Sequence, residues 1–91
     1  MLKRGMMDQF DEIKSSHPDT ILFFRMGDFY ELFHDDAEIA SEVLGLALTS
    51  RDKKADEPIR MAGFPWHALE DNIRGMLKAG HKVCVAEQEE E

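Results

Sequence analysis

Two apolar runs rich in aromatic residues, Ile21-Leu22-Phe23-Phe24 and Phe29-Tyr30-Glu31-Leu32-Phe33, flank the turn signal Met26-Gly27-Asp28. Side chains of this kind pack well on a pleated sheet, and a glycine between them lets the chain fold straight back. The segment therefore reads as a buried strand followed by a hairpin turn and a second strand. Side chains alternate along a strand, so Phe29 and Glu31 share one face while Tyr30 and Leu32 share the other. A chain of 91 residues that is 43% apolar has enough material for one small core, which argues against general disorder.

The remaining elements arrange themselves around this hairpin. Met6, Met7, Phe10, Ile13 and Lys14 follow helical spacing, and the helix should end near Ser15-Ser16-His17 because Pro18 disfavours helical backbone in the residue before it. Asp35 or Asp36 is the expected N-cap of a second helix that carries Ala37, Ile39, Ala40, Val43 and Leu44, with Gly45 at its end. Residues 46–49 read as a strand, 51–57 as a charged loop and 59–62 as a returning strand. Gly63-Phe64-Pro65 is expected to break the pattern and lead into a helix bearing Leu69, Ile73, Met76 and Leu77, terminated by Ala79-Gly80. Val83-Cys84-Val85-Ala86 reads as a final buried strand. The order helix, two strands, helix, two strands, helix, strand predicts a single small α/β domain spanning residues 1–91, with a mixed sheet and flanking helices.

Composition excludes several classes. The longest apolar stretch, residues 43–48, falls far short of the about 20 residues a membrane helix needs. No apolar region follows Met1-Leu2-Lys3-Arg4-Gly5, so no secretory signal is visible, and the single cysteine, Cys84, suits a reducing compartment. Cytoplasmic residence is the expectation. The net charge of −8 argues against a nucleic-acid partner, since phosphate binding goes with basic surfaces. The distribution of that charge weakens the objection. Glu87, Glu89, Glu90 and Glu91 crowd the end of the chain, while Arg51, Lys53, Lys54 and Arg60 form a basic stretch interrupted by Asp52, Asp56 and Glu57.

Signals for catalysis are weak. His17, His34, His67 and His81 lack the spacing of a local metal motif, and Gly80-His81-Lys82 is no phosphate-cradling ATP loop. Asp28, Glu31 and Asp35 supply the carboxylates a metal-dependent nuclease would need, but each also suits a turn, an exposed strand face or a helix cap. Phe29 and Glu31 are more informative. If Tyr30 and Leu32 face the core, an aromatic ring and a carboxyl project together, about 6.5 Å apart along the strand. Such a ring can act as a wedge between base pairs. The alternative is that Phe29 is core and Glu31 an ordinary exposed charge, and pattern alone leaves both open. A protein-interaction module using Phe29 as part of an apolar patch is a third reading.

The run Phe24-Arg25-Met26-Gly27-Asp28-Phe29-Tyr30-Glu31-Leu32-Phe33 resembles the N-terminal mismatch-recognition domain of the MutS family of DNA mismatch-repair proteins. The likeness continues through Asp35-Asp36-Ala37, Leu48-Thr49 and Glu57-Pro58-Ile59-Arg60-Met61-Ala62-Gly63-Phe64-Pro65-Trp66-His67, and ends at Ala86-Glu87-Gln88. Trp66 stands where tyrosine is more usual. The resemblance implies a non-enzymatic domain whose partner is mismatched double-stranded DNA, approached from the minor groove. It implies that Phe29 stacks on a mispaired or unpaired base, that Glu31 hydrogen-bonds to that base, and that Met26 and Arg51 lie close to the DNA. Lys53, Lys54 and Arg60 join this set on charge alone. In the full-length family, ATP, magnesium and a dimer partner act through further domains, in the bacterial cytosol. Family domains continue past the Glu87-Gln88 pair, so the resemblance implies an excised fragment or a naturally short homologue.

The minor groove distinguishes bases poorly, so a reader of many mispairs must sense deformability instead. Unstacking costs a few kcal/mol, and least where pairing is already defective. The groove edge offers mostly acceptors, so Glu31 would donate only when protonated. Its pKa is therefore expected to rise on DNA. On intact duplex its charge would penalise binding.

Overall fold

The computed structural model describes residues 5–51 and 58–88. They form α1 (Met6–Ser16), β1 (Thr20–Met26), β2 (Phe29–Phe33), α2 (His34–Leu44), β3 (Thr49–Arg51), β4 (Ile59–Pro65), a short 3-10 turn (Trp66–Ala68), α3 (Leu69–Lys78) and β5 (Lys82–Glu87). The five strands make one mixed sheet in the order β3-β4-β2-β1-β5, with β5 parallel to β1 and all other neighbours antiparallel. This is the expected α/β domain.

The hairpin sits at the centre of the sheet. Gly27 has φ +64°, a backbone state that glycine adopts without steric cost, and it closes the turn between Met26 and Phe29, which face each other in register. Helices lie on both faces of the sheet, so the alternating side chains of β1 and β2 feed two cores. On one face Ile21, Phe23, Tyr30, Leu32, Ala62 and Phe64 pack beneath α2 and α3, meeting Ala37, Ala40 and Met76. On the other, Leu22, Phe24 and Phe33 pack beneath α1 around Phe10. The Phe10 ring meets Phe33 edge-on at 5.1 Å and Phe24 at 6.1 Å, geometries that favour aromatic pairs beyond their buried area.

Four local expectations are corrected. Neither Asp35 nor Asp36 is the N-cap of α2, which is Phe33. With β2 running directly into the helix, Asp36 falls in the first turn, and its buried carboxylate accepts the Leu22 amide at 3.0 Å and the Lys14 ammonium at 2.9 Å. Lys14 also donates to the Thr20 carbonyl, so one ion pair ties α1, β1 and α2 together. The strand expected over 46–49 forms instead at Thr49–Arg51, because the register with β4 begins opposite Met61. Gly63-Phe64-Pro65 does not break β4, which pairs with β2 as far as Pro65 opposite Phe29. Finally, β5 is an edge strand rather than a buried one, and Val85 stays exposed.

Candidate nucleic-acid interface

The α1 face of the sheet is only half covered. Phe10 shields the end near Phe33, and nothing comparable among the described residues lies over the hairpin end. Phe29 and Phe33 occupy the same strand and the same face, yet Phe29 is 46% exposed and Phe33 1%. Phe29 is held from both sides, opposite Met26 in β1 and Pro65 in β4. The Trp66 amide closes this end by donating to the Asp28 carbonyl at 2.8 Å. The ring thus projects from a paired backbone rather than from a free loop.

Glu31 lies two residues along, between Phe24 of β1 and Gly63 of β4. Its side chain leans across the Gly63 backbone, where a Cβ would come within 2.5 Å of Oε1. Among the described residues it has no hydrogen-bond or ion-pair partner, and partial burial pushes its pKa above the ordinary glutamate value. A shallow cavity of about 230 Å³ opens here, lined by Phe29, Glu31, Ala47, Thr49, Met61 and Gly63. A ring, an unpartnered carboxyl and a groove beside them can together accept one flat heteroaromatic group with hydrogen-bonding edges.

The other candidates from the sequence divide. Met26 shares the Phe29 face and packs at the margin of the α1 core. Arg51, opposite Ile59, is also on this face, with Nη1 at 3.3 Å from the Met6 sulfur. It stands at the far end of the sheet, since Ile59 and Pro65 are six residues apart along β4, or about 20 Å. Arg60 is not brought to the site. It alternates with Met61 onto the helix-covered face and pairs with Asp35 at 3.0 Å and Glu38 at 2.7 Å. Lys53 and Lys54 lie outside the described residues. Asp28, Glu31 and Asp35 do not converge, and no cluster of potential metal ligands occurs among the described residues.

Most cations of the described residues are already neutralised: Lys14, Arg60, Arg74 and Lys82 each contact a carboxylate. Arg25, Arg51 and Lys78 have no such partner among the described residues. Charge patterning does not single out Arg25. Its guanidinium lies 5.7 Å from the centre of the half-exposed Trp66 ring and donates from Nε to the Gly27 carbonyl at 3.1 Å.

A family model for MutS domain I matches residues 4–91. The chain belongs to the MutS domain I family. Among curated proteins it is similar to the DNA mismatch repair protein MutS of Lawsonia intracellularis, 50% identical over 94% of this chain and 10% of the relative. The MutS of Streptococcus suis is 53% identical over 93% of the chain and 10% of the relative, and that of Rickettsia canadensis 52% over 91% and 9%. The chain therefore spans about a tenth of the length of the curated relatives it matches. No helix of the described residues is long and apolar enough to cross a membrane.

Proposed function

We propose that residues 1–91 act as one recognition domain in DNA mismatch repair, reading mispaired or unpaired bases in duplex DNA from the minor groove. One observation carries this reading: Phe29 stands nearly half exposed on a strand paired on both sides, and beside it the Glu31 carboxyl has no partner among the described residues. A ring mounted this way loses little conformational freedom when it enters a base step. It unstacks that step most easily where pairing is defective, and so converts weak pairing into tighter binding. The names of the relatives support the repair role.

Glu31 supplies the second half of the mechanism. Its pKa is raised already in the free protein, by burial. Entry into a groove lined by phosphates removes more water and adds negative charge, and both push the pKa further up. The protonated carboxyl then donates to an acceptor on the displaced base. At a matched pair the ring cannot enter, no base is presented, and an ionised Glu31 repels the backbone.

Affinity is expected to be low for the isolated domain, because Arg51 is the one described cation on this face without a carboxylate partner and the chain carries a charge of −8. Further MutS domains and a dimer partner would hold the duplex in a longer protein, and Met26 and Arg51 would contact its groove or backbone. Lys53 and Lys54 would add to this from the adjoining segment. The test is amide NMR mapping of the chain with a duplex containing one G·T mispair at low salt. Shifts are expected at 26–31, 49–51 and 61–65. Shifts confined to α2, α3 and β5 would overturn the reading and favour a protein-interaction role for other surfaces.

A further inference from the structure

Glu31 sits in the middle of a three-strand register on the α1 face. On β4 the same face carries Met61, Gly63 and Pro65, and the position directly opposite Glu31 is the one without a side chain. A Cβ at Gly63 would lie 2.5 Å from Glu31 Oε1, 3.1 Å from the carboxyl carbon and 3.0 Å from the Tyr30 carbonyl oxygen. The carboxyl occupies the space that any other residue would fill. No other described residue of the cavity fastens it. Phe29, Ala47 and Met61 offer no polar side-chain group that could hold a carboxylate, and the Thr49 hydroxyl is turned to the Met61 carbonyl. Toward β1 and β5 the same face shows Phe24 and Ala86, and the α1 side chains packed nearby are Met6, Met7, Phe10 and Ile13. From β3, Arg51 shares this face opposite Ile59, four residues along β4 from Gly63, with its guanidinium at the Met6 sulfur, and burial is what raises the Glu31 pKa.

We infer that Gly63 is a positioning and specificity-determining residue: its missing side chain seats the Glu31 carboxyl flat across β4, beside Phe29. A glutamate on an ordinary strand pair extends into water, where it remains hydrated and ionised. Over Gly63 it is partly stripped of water and aimed along the strand surface, at the place where a base stacked on Phe29 would show its edge. The functional half of this inference rests on the wedge reading above. The seating itself does not.

The test begins without DNA. The Glu31 side-chain carboxyl of the 91-residue chain is titrated by carbon-detected NMR in wild type and in Gly63→Ala. Its titration is expected to move down toward the ordinary glutamate range in the variant, and an unchanged curve overturns the inference. Because the new methyl also approaches the Tyr30 carbonyl, Gly63→Ala should cost some stability in any background, so a second comparison isolates Glu31. Thermal melting is expected to show a larger drop for Gly63→Ala in wild type than in Glu31→Ala, and equal drops overturn the seating.

With DNA, the preference for a G·T duplex over a matched one is expected to fall by about tenfold in Gly63→Ala, the value of one hydrogen bond, with no further fall in the Glu31→Ala background. An equal fall in both backgrounds means that the glycine acts on some other group and contradicts the inference. Absence of any preference in wild type would count against the wedge reading alone, since the titration and the melting curves decide the seating independently.

Discussion

Phe33 and Phe29 are the same residue type on the same strand and the same face, four positions apart, and they do opposite things. Phe33 is enclosed edge-on by Phe10 and contributes to the α1 core, whereas Phe29 stands beyond the reach of α1 and meets solvent. The backbone treats them alike, pairing both with β4. What separates them is the placement of one helix, which is a tertiary fact and not a property of the strand. An aromatic ring that a strand holds in place but no described element covers is free to engage a partner.

The contrast is sharpest in stability. Phe33→Ala and Phe10→Ala each remove a ring from a closed aromatic cluster and are expected to cost about 3–5 kcal/mol in urea unfolding. Phe29→Ala leaves no sealed cavity and is expected to cost under about 1 kcal/mol, while removing mismatch preference. A Phe29→Ala loss as large as that of Phe33→Ala would erase the distinction between the two rings.

A second pair of residues extends the comparison to charge. Arg51 and Arg60 look equivalent in the sequence, but alternation puts them on opposite faces, and Arg60 already serves Asp35 and Glu38. In salt titrations of DNA binding, Arg51→Gln is expected to reduce the slope by about one and Arg60→Gln to leave it unchanged. A matching drop for Arg60→Gln would mean that DNA reaches the helix-covered face.

The smallest expected effect concerns Glu31. Its folded pKa lies above its unfolded value, so its contribution is most favourable in acid and is lost as pH rises through the folded pKa. Glu31→Gln is therefore expected to stabilise the domain at neutral pH by about 0.5 kcal/mol or less after solvent screening, and the advantage should vanish as pH falls. The same substitution should raise affinity for matched duplex by removing a repelled charge. Urea midpoints at two pH values and matched-duplex binding check both.

Much of this is legible in the sequence. The hairpin over Met26-Gly27-Asp28, the three helices and the Phe29–Glu31 pairing of faces follow from local chemistry: a turn glycine, period-two alternation and the family motif. What the sequence conceals is tertiary. The acid expected to cap α2 becomes the buried partner of Lys14 and the Leu22 amide, because β2 enters the helix without a loop. Gly63 and Pro65 read as strand breakers, yet the register turns the first into the berth of Glu31 and the second into the neighbour of Phe29. Charge patterning groups Arg60 with Arg51 because sequence proximity carries no information about which face a helix will cover.

In the role proposed above, Phe29 converts weak pairing into binding. The most direct measurement is low-salt binding of the chain to a duplex with one G·T mispair or unpaired T, against matched duplex, in wild type and Phe29→Ala. The expected result is a preference for defective duplex in wild type and equal, weak binding in Phe29→Ala. A preference that survives in Phe29→Ala would contradict that role for the ring.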